Sequence, residues 1–284
     1  MMNPKEAVVV TGASSGIGAA TTELLARNGF VVFAGVRKAA DAAVLVARHH
    51  HIRPIHLDVA NSATIEAAAQ KVAADSLVLR GLGNNAGIAI GGPLEFLPID
   101  RLRKQLEVNV IGAVAVSQAF LPQLRAHRGR LVFVGSVSGR FAAPFVAPYS
   151  ASKFALRAIA DAFRIELAPA GIRVALIEPG NVNTPIWRKA RDSRERLLEL
   201  LGPRARELYG DELDAVFQGM DQHERTGMRA ETVSRAIHHA LVARRPKTHY
   251  PLGAGSRLAG VIGLLSAHVQ DRLLFRSTSR KRKS

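Results

Sequence analysis

The chain reads as an α/β protein, one doubly wound domain built on a seven-stranded parallel sheet with helices on both faces. Three observations predict it. Short β-branched runs alternate with longer stretches of helical periodicity. A glycine-rich turn joins the first strand to the first helix. A chain of 284 residues with 48% hydrophobic content can also bury a sizeable core. The seven strands are expected near Ala7–Val10, Val31–Val36, Pro54–Leu57, Leu79–Gly83, Arg130–Ser136, Arg173–Glu178 and Thr248–Leu252, with helices between them. There is no internal repeat and no low-complexity block.

Residues 1–255 form the expected domain, and 256–284 a C-terminal amphipathic helix and basic tail. Within the domain, 186–228 carries charged helical turns with apolar residues at Leu197, Leu198, Leu201, Leu208, Leu213, Val216, Phe217 and Met220. From Arg257 to Phe275, Leu258, Val261, Ile262, Leu265, Val269 and Leu273 share one helical stripe. That stripe is expected to pack on the body or on a partner subunit; a weak peripheral membrane contact is the sharper alternative. The basic end after Ser279 has no apolar residue to bury, which predicts a disordered segment dispensable for chemistry.

Zero cysteines exclude disulfides and thiolate metal sites. Nothing resembles a secretory signal, and no apolar run reaches the roughly 20 residues needed to span a bilayer, so a soluble, cytoplasmic protein is expected. The net charge of +16 is concentrated in Arg188-Lys189-Ala190-Arg191, Arg204, Arg206 and Arg280-Lys281-Arg282-Lys283. No helix-turn-helix, zinc spacing or set of stacking aromatics accompanies it, so no specific nucleic-acid partner is expected, and the charge reads as a solvated face. Part of the field would attract a ligand with several phosphates. His49-His50-His51 reads as the basic end of a helix, without nearby carboxylates to orient metal ligands, so no metal is expected.

After the first strand, Thr11-Gly12-Ala13-Ser14-Ser15-Gly16-Ile17-Gly18 leads into a helix through Leu24 and Leu25. Glycines there allow a tight turn and a close approach to a pyrophosphate, which the helix N-terminus attracts. The spacing is Gly-x-x-x-Gly-x-Gly, and an ordinary βα turn would also use glycine. Farther along, Tyr149 and Lys153 share a face in the first turns of a helix that Pro169 and Gly171 end. The Lys153 ammonium is expected to draw the Tyr149 phenol below its usual value of about 10. Ser136, thirteen positions upstream of Tyr149, closes a strand and would hydrogen-bond a reacting oxygen. On spacing alone Tyr-x-x-x-Lys is a weak signal.

Taken in order, Thr11 to Gly18, Asp58-Val59, Asn84-Asn85-Ala86-Gly87, Asn109, Ser136, Tyr149 with Lys153, and Pro179-Gly180 with Thr184-Pro185 resemble the classical short-chain dehydrogenase/reductase family over roughly residues 5 to 190. The resemblance implies a Rossmann-type fold and a catalytic set of Asn109, Ser136, Tyr149 and Lys153, with Asn109 holding a water that links Lys153 to solvent. It implies cofactor contacts from Gly12, Ser14, Ser15, Gly16, Ile17, Gly18, Asp58, Val59, Asn85, Ala86, Gly87, Tyr149, Lys153, Pro179, Gly180, Val182 and Thr184. Among these, Asp58 would bond the adenine amine, and Thr184 and Val182 the nicotinamide carboxamide. Two positions depart from the pattern: Gly83 replaces a bulky aliphatic and Gly135 a serine, which removes packing from the crevice.

Val36 stands where NAD-preferring relatives place an acid, and Arg37 follows and could pair with a 2′-phosphate. NADP(H) is therefore the expected cofactor, with NAD(H) as the alternative. The 186–228 segment resembles the lid that covers the nicotinamide in this family. Phe141, Ala142, Ala143, Phe145, Val146, Ile90 and the Gly91-Gly92-Pro93 turn would add an apolar wall. The expected reaction is hydride transfer between the nicotinamide and a small hydrophobic alcohol or ketone, retinoid-like or steroid-like, by analogy with the retinol and hydroxysteroid dehydrogenase branch. A homodimer or homotetramer is implied. A catalytically silent dinucleotide sensor or scaffold of the same fold is the other function class.

Overall fold

The computed structural model describes residues 6–186, 194–253, 255–256, 262–263, 265–266 and 268–272. Seven parallel strands pair in the order β3-β2-β1-β4-β5-β6-β7. They are β1 (Glu6–Val10), β2 (Val31–Val36), β3 (Ile52–His56), β4 (Val78–Asn84), β5 (Arg130–Val134), β6 (Arg173–Pro179) and β7 (His249–Leu252). Central strands read as continuous apolar runs because helices cover both faces of the sheet. Thus β2 and β5 are buried at every position. The edge strand β3 is buried only at Ile52 and Ile55, and it accommodates Pro54, which lacks an amide to donate.

One face carries α1 (Gly16–Arg27), α2 (Ala39–Arg48) and α8 (Ala230–Val242), which pack Leu25, Leu45, Val233, Ile237 and Leu241 against Val8, Val10, Val32 and Val132. The other carries α3 (Ser62–Ala73), α5 (Gly112–Ala126) and α6 (Ala147–Glu166), with Ile65, Val116, Phe120, Leu124 and Leu156 against Val9, Phe33, Leu82 and Phe133. Between β4 and α5 the chain forms α4 (Ile99–Leu106) and then a single wide turn of π-helix, Glu107–Ile111. The sheet reverses direction of winding between β1 and β4, and a crevice opens there at the carboxyl ends of the strands.

The predicted strands all form. β3 begins two residues earlier than expected, and β5 ends at Val134, so Ser136 lies beyond it in extended backbone and caps the short helical turn Val137–Gly139. As predicted, Tyr149 lies in the first turn of α6, which is followed by the turn Ala168–Ala170 and by Gly171 at φ 73°. Gly135 leaves no gap: a Cβ there would lie 3.0 Å from Leu176 Cδ1, so a neighbouring leucine occupies the space. At Gly83 a Cβ would meet Val9 O at 3.7 Å and Val10 Cγ2 at 3.9 Å, ordinary contact distances that would admit it.

The 186–228 segment is dominated by α7 (Arg194–Thr226), which bends at Gly202 (φ 80°) just before Pro203. Leu201, Leu213 and Phe217 are buried in a third cluster with Phe96, Phe145, Val146, Leu197, Leu198 and Val216. Leu208 is 43% exposed. In the C-terminal stripe, Leu265 and Val269 are exposed. Leu258, Val261 and Leu273, the basic run 188–191 and the tail from 280 lie outside the described residues. Among the described residues no helix is long and apolar enough to cross a membrane.

Phe133 is fully buried on β5 and stacks on Phe163 of α6 at a centroid separation of 6.0 Å. Phe133→Ala should therefore cost about 3–5 kcal/mol. Urea unfolding should show a lower midpoint with an unchanged slope.

Candidate active site

The crevice at the switch point has a volume of about 600 Å³. Its floor begins at the turn after β1, where Gly12 and Gly16 adopt φ values of +63° and +56° that other residues rarely take. A Cβ on Gly12 would lie 2.8 Å from Ala86 Cα, and one on Gly18 would lie 2.1 Å from Gly12 O. The first and third glycines therefore serve the close approach of turn, helix and β4. Gly18 packs under the turn and does not line the crevice, whereas Gly12, Ser14, Ser15, Gly16 and Ile17 do. At the start of α1, the Ser15 side chain makes no capping bond and the first turn holds no acid. The helix N-terminus is thus presented to the crevice with unsatisfied N–H groups, which suits a phosphate.

Asn85, Ala86 and Gly87 form the wall opposite, joined by Asp58 and Val59 beyond β3. Thr11, absent from the predicted site, organises this junction. Its hydroxyl oxygen accepts from the Asn85 and Ala86 amides at 3.0 and 2.9 Å, while Asn85 Nδ2 donates to the carbonyls of Thr11 and Gly12 at 2.9 and 3.2 Å. At the end of β2, Arg37 and Lys38 line the crevice with exposed side chains, and Val36 beside them is buried. Asp41, in the first turn of α2, lines it as well. Pro179, Gly180, Val182 and Thr184 complete the floor past β6, with Val182 bridged to Met228. Glycines under a phosphate-sized turn, open amides and two cations at the far end fit a dinucleotide.

Ser136, Tyr149 and Lys153 meet in the same crevice. Each is less than a tenth exposed. The Ser136 and Tyr149 hydroxyls share a hydrogen bond. Lys153 Nζ donates to Val134 O at 2.8 Å and lies 5.6 Å from the centroid of the Tyr149 ring. The phenol does not titrate as expected from its helix neighbour. Burial pushes Tyr149 up, and the Ser136 hydrogen bond draws it only partway back. Burial also pushes Lys153 down to about 8. Spacing along a helix gives the attraction between the two groups; it does not give the desolvation of both.

Asn109 lies behind the wall, in the π-helical turn. Its side chain is engaged with protein groups: Oδ1 accepts from the Ile88 amide at 2.9 Å, and Nδ2 donates to Ile88 O and Ser152 Oγ, both at 3.0 Å. Gln105, four residues earlier, repeats the clamp, accepting from the Ile90 amide at 2.7 Å and donating to Ile88 O at 2.9 Å. Ser152 donates to Tyr149 O at 2.7 Å, which ties this network to α6. Gln105 and Ser152 escaped the sequence reading. The pattern that held their signal was the i, i+4 pairing of two amides, Gln105 and Asn109, on one buried helix face.

The predicted apolar wall is placed in part. Of it, Ile90 and Gly91 line the crevice, joined by Ala89, Ile186 and Leu197, whereas Phe141, Ala142, Ala143, Gly92 and Pro93 do not. Phe145 and Val146 pack against α7. Phe145 has φ 64°, rare outside glycine, and its carbonyl accepts from the Gly92 amide at 2.7 Å. A Cβ on Gly91 would lie 2.7 Å from that same oxygen, so the glycine pair makes the contact feasible. His49, His50 and His51 group their ring nitrogens within 4.8 Å of one another after α2, outside the crevice lining.

Thr11→Val keeps the shape of the side chain and deletes the acceptor of two amides. It should cost about 1–3 kcal/mol of stability and weaken dinucleotide binding. Thermal unfolding with and without ligand reads both effects.

The short chain dehydrogenase family matches residues 6–195. The 3-amino-tetrahydro-pyrrolizinone reductase of Xenorhabdus hominickii is 35% identical over 255 residues, covering 88% of this chain and 87% of that protein. The NADPH-dependent 3-dehydrocapnine reductase of Ornithobacterium rhinotracheale is 35% identical over 250 residues, covering 85% and 86%. A short chain dehydrogenase from Burkholderia cenocepacia, solved in complex with NADP, superimposes with a TM-score of 0.73 at 26% identity, covering 96% of this chain and 99% of that one. With its Rossmann-type sheet, its dinucleotide crevice and this similarity along most of its length, the chain belongs to the short chain dehydrogenase family of oxidoreductases acting on CH–OH and keto groups.

Proposed function

We propose that this protein is an NADP(H)-dependent oxidoreductase that reduces a hydrophobic ketone, or oxidises the matching secondary alcohol. The observation that carries the reading is the hydrogen-bonded Ser136–Tyr149 pair, buried beside Lys153 in the crevice whose far end holds Arg37 and Lys38. The dinucleotide, when bound, supplies or receives the hydride. Ser136 then holds the carbonyl oxygen and Tyr149 gives it a proton as the carbon becomes tetrahedral. A phenol that burial keeps protonated is the form that delivers a proton, which favours the reductive direction. Lys153, shifted down to about 8, still carries its charge through most of the neutral range and offsets the phenolate left behind. It also stands where it can anchor the nicotinamide ribose. Asn109 supports the proton route by holding the Ile88 backbone against α6.

The NADP(H) preference rests on Arg37 and Lys38 at the end of β2 and on the absence of a carboxylate at Val36. The NADPH-dependent relative and the NADP-bound neighbour support it. Ile90, Ile186 and Leu197 favour an apolar substrate body, and the 186–228 segment serves as the lid that excludes water. A retinoid or steroid suits such a wall; the retinol and hydroxysteroid branch is the reading for the natural substrate class. Assembly into dimers or tetramers would cover the exposed Ile111, Phe154 and Ile165 around α5 and α6.

Tyr149→Phe should slow single-turnover ketone reduction by about a hundredfold or more while NADPH still binds. Near wild-type turnover would return the protein to the sensor reading. Arg37→Ala should lower kcat/KM for NADPH by about tenfold and leave NADH nearly unchanged, as expected for one lost charge-assisted contact. Equal losses with the two cofactors would remove the preference.

A further inference from the structure

Behind the crevice lies a buried carboxylate that hydride transfer does not use. Glu178, near the end of β6, is 1% exposed. Its oxygens accept from Arg140 Nε at 2.8 Å and Nη2 at 2.6 Å, from Arg157 Nη1 at 3.1 Å, and meet His249 Nδ1 at 3.2 Å. His249 Nε2 in turn lies 3.1 Å from Asp161 Oδ1. Burial pushes the carboxyl up, but hydrogen bonds from His249 and Arg140 and the charges of Arg140 and Arg157 outweigh it and hold Glu178 at about 2.

The partners come from the elements that carry the reacting groups. Arg140 ends the turn that Ser136 caps. Arg157 and Asp161 are on α6, one and two turns beyond Lys153. His249 opens β7, and the Glu178 backbone runs directly into Pro179 and Gly180 of the crevice floor. The turn is also pressed onto α6, since a Cβ on Gly139 would lie 2.8 Å from Lys153 O. A buried ion pair of this kind adds little net stability over a well-packed apolar replacement. What the bidentate Arg140 fork adds is direction, because two parallel hydrogen bonds fix the guanidinium plane.

We propose that Glu178 is a positioning residue for the proposed chemistry: through Arg140 and Arg157 it sets the placement of the Ser136 turn against the Tyr149–Lys153 helix. The proposal rests on the roles given above to Ser136 and Tyr149. Displacement of reacting groups by about an ångström can cost up to about a hundredfold in rate, so a loosened turn should appear in kcat.

The test compares Glu178→Gln, Arg140→Lys and the double variant in the full-length protein, using NADPH and an accepted ketone. Arg140→Lys keeps the charge and loses the fork, so it provides a folded variant should Glu178→Gln be unstable. Expected are a fall in kcat of about tenfold or more in each single variant, an NADPH Kd within about threefold of wild type, and a double variant little worse than either single one. Unchanged kcat accompanied only by a lower Tm would overturn the proposal and leave a structural ion pair. So would losses that multiply in the double variant, or an effect confined to NADPH binding. Tyr149→Phe, measured alongside, separates the two claims: if it is inactive while Glu178→Gln and Arg140→Lys are not, only the positioning role fails.

Discussion

Everything at this site depends on how closely the turn after β1 approaches the end of β4. The two strands are neighbours in the sheet, yet the chain leaves them in opposite senses, and the backbone has to fold in tightly for the two sides to form one crevice. Gly12 and Gly18 remove the side chains that would hold the turn away, and the Thr11 hydroxyl then captures the Asn85 and Ala86 amides across the gap. Steric permission and hydrogen-bond satisfaction act on the same contact. With either missing, the open amides at the start of α1 would no longer face the wall that includes Asp58 and Val59.

The buried phenol and amine follow a different logic. Tyr149 and Lys153 are brought together by helix periodicity, but their acid–base character is set by burial, which opposes the charged form of both. A proton therefore remains on the phenol, while the amine is nearer to releasing its own. The Ser136 hydroxyl moderates the penalty on the phenol, and the Val134 carbonyl accepts from Lys153 Nζ; Val134 ends β5 and Ser136 lies two residues beyond it.

Much of this was legible in the sequence because it is written in local patterns. Apolar runs bounded by turn residues located all seven strands, and the glycine octet located the turn that lines the crevice. Tyr149 and Lys153 could be placed on one face from their spacing alone. What stayed hidden was whatever depends on partners distant in the chain. Gln105 and Ser152 act through Ile88 and Tyr149, and Thr11 acts across more than seventy positions. The direction of the phenol shift was misjudged for the same reason, since desolvation is the summed effect of neighbours no local pattern names.

The bent helix α7 has one further implication. Its buried residues Leu201, Ala205, Leu213 and Phe217 form a cluster of their own, distinct from the two that cover the sheet. The helix α7 and the sheet are thus packed as separate units. Exchanging α7 for another helix of similar length would reshape the part of the crevice that Leu197 lines without repacking the β-strands or shifting the buried trio of Ser136, Tyr149 and Lys153.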